Sequence, residues 1–163
     1  MNSIHLHLLL NHVPVIGTVL GVLLLAVAVA RRSDELGRVA LWLFALLAGT
    51  SVLVFLTGEP AEELVEKLPG FSEALTERHE EAALMATIVM GVVGLFSLAV
   101  LAVFRKRPLA RWATPVALAL SLGAAGAMGY AANLGGRIRH TEIRAATSAT
   151  LDRGGDEAEQ PER

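Results

Sequence analysis

Four long apolar segments constrain the fold of this chain more than any other feature of its sequence. Each has roughly 20 residues, enough for an α-helix rising about 1.5 Å per residue to cross a hydrocarbon core of about 30 Å. Hydrophobic residues make up 53% of the 163 residues and charged residues only 18%. A soluble domain of this length is usually less apolar. We therefore expect an all-α integral membrane protein, built as a bundle of four transmembrane helices.

The positions of the apolar segments define one membrane domain over residues 1–144. A polar tail follows over residues 145–163, and its composition predicts disorder. The longest connection is predicted to hold an extramembrane amphipathic helix at about 60–68, because Pro60 suits a first helical position and the Pro69-Gly70 pair ends the helix. The four predicted spans run over about 8–30, 39–57, 82–104 and 113–134.

Several function classes lack their sequence signals. The chain contains no cysteine, which excludes disulfides, thiolate metal sites and cysteine-linked haem. It has no P-loop, no dinucleotide fingerprint and no Gly-x-Ser-x-Gly motif, and no basic-aromatic pattern that would predict nucleic-acid binding. An electron carrier or an accessory subunit is therefore favoured over an enzyme.

The basic residues predict how the chain is oriented in the membrane. The short connections after the first and third spans contain only two acids, Asp34 and Glu35, and the positive-inside rule places both connections in the cytoplasm. Both termini, the acidic second connection and all five histidines then lie on the outer face, which is the periplasmic face in a bacterial inner membrane. The basic residues of the two connections are Arg31, Arg32, Arg38, Arg105, Lys106, Arg107 and Arg111.

The histidines fall into one predicted layer near the outer membrane surface. Counting helical rise from the cytoplasmic arginines puts His5, His7, His79 and His140 at similar depth, with His12 one or two turns deeper. An imidazole at the edge of hydrocarbon is costly unless it is neutral and partnered, so such residues are functional candidates. We predict a site that joins the first, third and fourth spans, with His5 as the incidental member.

The predicted cofactor is b-type haem. Neutral imidazoles from facing helices of a bundle can ligate its iron. The ligands that we predict are His12, His79 and His140, with His7 next. The predicted function is electron transfer at the periplasmic side of the membrane, with a periplasmic electron carrier or another membrane-complex subunit as partner.

Other residues near the end of the fourth span support a bound macrocycle. Gly135 and Gly136 would let the backbone approach it, and arginines would pair with its anionic propionates. The fourth span is also rich in small residues, a surface that suits close helix packing or a flat ligand. Gly17 and Gly21 form a small-xxx-small pair that allows close helix approach in the first span. The candidate arginines are Arg78, Arg137, Arg139 and Arg144.

Three other interpretations remain open from the residues alone. The chain could be a structural or accessory subunit of a respiratory or photosynthetic complex, without a cofactor of its own, packed through its small-residue helix. It could bind Zn or Cu through His12, His79 and His140 together with glutamates. The histidines could also simply satisfy neighbouring carbonyl or carboxylate groups, with the arginines as solvated anchors.

Two short motifs resemble a known family. The segment His7-x-x-x-x-His12-Val-Pro-Val resembles the His-Pro-x-x-x-His-Phe-Pro-Ile opening of a bacterial family of four-span membrane proteins, domain of unknown function 2231. The segment from Asn133 to His140 resembles the Gly-Gly-x-Leu-x-x-x-His ending of that family. This chain lacks the proline after His7 and has valine after His12. The resemblance implies the four-span architecture and marks His7, His12 and His140 as motif positions, and it implies no activity.

Overall fold

Within the part of the chain that the structure describes, five α-helices follow one another, and four segments are long and apolar enough to cross a membrane. The computed structural model describes residues 3–58, 60, 67 and 71–139, and no strand occurs in those ranges. The predicted all-α fold with four membrane-spanning helices is thus confirmed. The helices are α1 (Ser3–Leu10), α2 (His12–Arg31), α3 (Asp34–Leu56), α4 (Glu73–Val103) and α5 (Ala113–Arg139).

The helix bounds extend beyond some of the predicted spans. The third spanning helix, α4, begins directly after Ser72, because the polar residues before the apolar segment continue the same helix. The fourth, α5, continues past the predicted end at about 134 to Arg139. Most of the predicted amphipathic helix at about 60–68, and the tail over 145–163, lie outside the described residues.

Helices α1 and α2 form one span with an interruption at Asn11. Pro14 has no N–H to donate one turn back, and its ring crowds the carbonyl of Leu10, so regular helix is interrupted just before it. The chain still runs on in nearly the same direction, because Asn11 keeps helical φ and ψ angles and its N–H donates to the carbonyl of His7 at 2.9 Å. The combined span covers His7–Arg31.

The four long helices pack as a closed ring. Each one contacts its neighbour in the chain, and α2 also contacts α5 to complete the ring. Leu25, Phe44 and Met90 are fully buried in the shared core, whereas Leu46 and Leu95 are among many large apolar side chains that face outward. An apolar exterior of this extent is what a bilayer-embedded bundle presents to lipid.

Glycines let the helix backbones approach closely at α3. A Cβ on Gly21 would lie 2.7 Å from the Phe44 ring, and a Cβ on Gly94 would overlap the Ala48 side chain. The small residues of α5 divide into two groups. Ala117 and Ala124 are buried, but Gly123, Gly126 and Gly129 face open space. These glycines therefore lie on the exterior of the bundle and do not open a slot inside it.

A polar joint fastens α3 to the connection between α4 and α5. One carboxylate oxygen of Asp34 accepts from the backbone N–H of Leu109 at 2.6 Å, and the other accepts from the guanidinium of Arg38 at 2.8 Å. The Arg38 guanidinium also donates to the carbonyls of Phe104 and Arg107, at 2.9 and 2.6 Å. Arg38 thus donates to two carbonyl groups in the connection that follows α4.

We expect the Arg38→Ala variant to unfold more readily because three acceptors lose their charged donor. Since the Arg38 side chain is 27% exposed, water compensates part of the loss, and we expect a decrease of about 1 kcal/mol in the free energy of unfolding. Arg31→Ala is the matched control, because the exposed side chain of Arg31 forms no ion pair with another described residue. Equal thermal midpoints for the two variants in detergent would contradict a stabilising role for the joint.

Candidate functional site

Two histidines from different helices lie at the end of the bundle opposite to the Asp34–Arg38 joint. His7 of α1 and His79 of α4 are both partly buried there. The Nδ1 atom of His7 lies 3.2 Å from Oγ1 of Thr57, directly after α3. The Nδ1 atom of His79 lies 3.0 Å from the carbonyl oxygen of Ala131 in α5.

The hydrogen-bond partners determine which ring nitrogen carries the proton. A carbonyl oxygen only accepts, so Nδ1 of His79 must donate to Ala131. When the hydroxyl of Thr57 donates its single proton to the carbonyl of Val54 at 2.8 Å, it accepts from Nδ1 of His7, and this arrangement pairs both groups. In the neutral rings both Nε2 atoms therefore keep their lone pairs. This is the arrangement in which outer hydrogen bonds orient a metal-ligating histidine.

Glycine next to the histidines provides room for one of the two rings. A Cβ on Gly135 would lie 3.0 Å from Cε1 of His79, closer than most side chains tolerate. Gly135 therefore makes space for the imidazole of His79, whereas Gly136 faces open space. The predicted role of Gly135, to let the backbone approach a macrocycle, stays a prediction; the side chain that lies against it in the structure is His79.

The structure does not bring His12 to the other two histidines. Its side chain is exposed, and its Nδ1 atom lies 2.8 Å from the carbonyl of Leu8, four residues earlier in the same span. His7 lies nearer to the end of the span, but it is the residue that turns toward α3 and α4. His140 and Arg144 lie outside the described residues, as do the side chains of His5 and Arg139.

Two buried polar atoms at the same end of the bundle lack a partner among the described residues. They are Nε of Arg137, on α5 two residues after Gly135, and Oδ1 of Asn11, between α1 and α2. A buried unsatisfied donor is costly, so it marks a place where a further group can bind. Arg137 was predicted to pair with an anion, and that role stays a prediction. Arg78, by contrast, is exposed on α4.

The two hydrogen-bond partners of the histidines carry little or no sequence signal. Thr57 is a hydroxyl residue directly before Gly58, at the end of an otherwise apolar span, and that placement is its only signal. The carbonyl of Ala131 leaves no trace in the sequence. Across the described residues, no three His, Asp or Glu side chains are placed together to hold a metal ion. The site there consists of two imidazoles and their hydrogen-bond partners.

Comparison with known families covers nearly the whole membrane domain. A family model described as a predicted membrane protein, DUF2231, matches residues 3–143. The chain belongs to this DUF2231 family. Membership agrees with the four-span architecture, and the matched range contains all five histidines of this DUF2231 protein. No curated protein and no solved structure matches the chain.

Proposed function

We propose that this DUF2231 protein binds b-type haem through His7 and His79 and acts as a membrane electron carrier. The observation that carries the proposal is that the two imidazoles have the same hydrogen-bonding arrangement. They come from different helices, each gives its Nδ1 proton to a fixed oxygen acceptor, and each keeps an Nε2 lone pair. His7 and His79 would hold the haem iron through these neutral imidazoles, and the bound haem would supply one-electron redox chemistry.

Haem suits a two-histidine site better than Zn or Cu does. The porphyrin supplies four of the iron ligands, so the protein must provide only two, whereas a protein zinc site generally needs three or four side chains. The described residues offer no group of three such side chains. His140 stays a predicted additional ligand. His12 receives no support as a ligand, because its exposed ring is hydrogen-bonded within its own span.

Residues of this chain would also hold the anionic edge of the haem. The buried Nε of Arg137 lacks a hydrogen-bond partner among the described residues, and a propionate would satisfy it with a charge-assisted bond. Gly135 leaves room for the His79 ring, and the hydrogen bond to the carbonyl of Ala131 orients that ring. Arg137 would bind and orient the haem, and the two acceptors Thr57 and Ala131 would hold the ligand tautomers.

We also propose that the histidine end faces the periplasm of a bacterial inner membrane. The basic residues Arg38, near the start of α3, and Arg107, in the connection after α4, lie at the opposite end of the bundle, and the positive-inside rule favours a cytoplasmic position for that end. Electrons would then pass to or from a periplasmic carrier, or a neighbouring subunit of a membrane complex.

An absorption spectrum tests the haem proposal directly. We expect protein purified from haem-replete cells to show a Soret band, and an alpha band that sharpens on reduction, with a b-type signature after extraction into alkaline pyridine. Elemental analysis of the same sample is expected to find iron in excess of zinc and copper. A protein without haem bands would contradict the proposal, and stoichiometric zinc or copper that a chelator removes would favour the metal-binding alternative.

A second candidate function is an accessory subunit of a larger membrane complex. The observation in its favour is the exterior position of Gly123, Gly126 and Gly129, each with open space where a side chain would be. In a bilayer, small residues on a helix surface allow another helix to approach closely. Co-purification of other subunits in mild detergent would support this role. A monodisperse protein that carries haem without them would count against it.

A further inference from the structure

A cavity of about 390 Å³ lies in the outer groove between α4 and α5. None of the residues that hold the two histidines lines it. Two of its lining residues carry opposite charges, one has a phenolic hydroxyl, and the other three are apolar. They are Arg78, Glu81, Ala82, Met85, Ala127 and Tyr130.

The cavity lies at the level where lipid headgroups meet the hydrocarbon core. Helix α4 has 31 residues and is therefore about 46 Å long, longer than a hydrocarbon core of about 30 Å. Its charged first part precedes the apolar segment that begins at Ala82, so Arg78 and Glu81 lie at the boundary. Tyr130 faces them from α5, and tyrosine is enriched at membrane interfaces. Met85 and Ala127 line the apolar side of the cavity.

The two charged groups of the cavity remain available to a ligand. Arg78 and Glu81 are both exposed, and neither forms an ion pair within the described residues. They are three positions apart on one helix, so their side chains are neighbours on its surface. A guanidinium binds phosphate oxygens through paired N–H donors, and a carboxylate accepts hydrogen bonds from an ammonium group.

We propose that this cavity binds the headgroup of a phosphatidylethanolamine-class lipid. Arg78 and the hydroxyl of Tyr130 bind the phosphate, and Glu81 binds the primary ammonium group, which two methylene groups separate from the phosphate ester. One acyl chain follows Met85 and Ala127 toward the exterior glycines of α5, where the missing side chains leave room for it.

Charge complementarity distinguishes this lipid from other common phospholipids. Phosphatidylglycerol has the phosphate but no cation for Glu81, so the carboxylate would repel it or remain without a partner. Phosphatidylcholine has a quaternary ammonium group with no N–H to donate. Of these three headgroups, only that of phosphatidylethanolamine has both a phosphate for Arg78 and an N–H cation for Glu81.

Native mass spectrometry of the full-length protein tests the proposal. The detergent-solubilised protein is equilibrated with equal amounts of phosphatidylethanolamine, phosphatidylglycerol and phosphatidylcholine that have identical acyl chains. We expect phosphatidylethanolamine to be retained about fivefold more than the other two lipids, because an ion pair between exposed groups contributes only a small gain in affinity. Glu81→Gln is expected to remove this preference, and Arg78→Gln to lower the retention of all three lipids.

Matched controls separate the cavity from general surface charge. Glu80→Gln removes a neighbouring exposed carboxylate outside the cavity lining, and Arg105→Gln removes an exposed arginine at the opposite end of the bundle. Both controls are expected to keep the wild-type lipid preference. Equal retention of the three lipids by the wild type, a preference for phosphatidylglycerol, or an unchanged preference in Glu81→Gln would each overturn the proposal. Because the measurement is bound lipid mass, the outcome is independent of haem binding.

Discussion

The His79→Ala variant is expected to lose haem, and the His12→Ala variant is expected to retain it. Removing His79 takes away an imidazole whose Nδ1–H is held by Ala131 and whose Nε2 is available to iron. His12 is exposed and bonded within its own span. We expect haem content per protein to fall by about tenfold or more in the first variant, as measured by the Soret absorbance relative to the protein absorbance.

Imidazole added to the purified His79→Ala protein separates a lost ligand from a damaged fold. The free imidazole can occupy the space left by the side chain, and we expect it to restore the haem bands in part when haem is supplied. Loss of haem in His12→Ala to the same extent as in His79→Ala would contradict the assignment of the pair. Full haem content in His79→Ala would show that His79 is not a haem ligand.

The Gly94→Ala variant is expected to be strongly destabilised, although it adds only one methyl group. The new Cβ would overlap the Cβ of Ala48, and neither atom can rotate away because each is attached directly to its backbone. Helices α3 and α4 would have to separate, which costs about 2 kcal/mol in the free energy of unfolding. The measurement is the unfolding midpoint in mixed detergent micelles.

Gly91→Ala is the matched control for this substitution. Gly91 lies less than one turn earlier in the same helix, and nothing lies within 4 Å of the position that its Cβ would occupy. Alanine favours a helix over glycine by up to about 1 kcal/mol, so this variant is expected to be as stable as the wild type or more so. A similar loss of stability in both variants would show that the α3–α4 contact at Gly94 has no special role.

The membrane architecture was predictable because it depends on segment length and on breaker residues. The four apolar segments can be inferred from the sequence, since each follows from local composition. The common depth of His7 and His79 was also predictable, because helical rise is constant.

The rotation of each helix about its axis was not predictable. In a soluble helix the apolar side identifies the core, but in a membrane helix the side facing lipid is apolar as well. The sequence therefore could not indicate that His7 turns inward while His12 faces outward. For the same reason it could not distinguish Gly94, which contacts α3, from Gly91, which has open space. The carbonyl of Ala131 carries no side-chain signal at all.

The Asp34–Arg38 joint has a mechanical consequence for the opposite end of the protein. The chain forms two helical hairpins, α2 with α3 and α4 with α5, and the joint links the first hairpin to the connection of the second. If the hairpins tilt apart about this fixed pivot, their separation increases with distance from it and is greatest at the histidines. His7 belongs to one hairpin and His79 to the other, so a flat molecule could enter between them while the pivot remains intact.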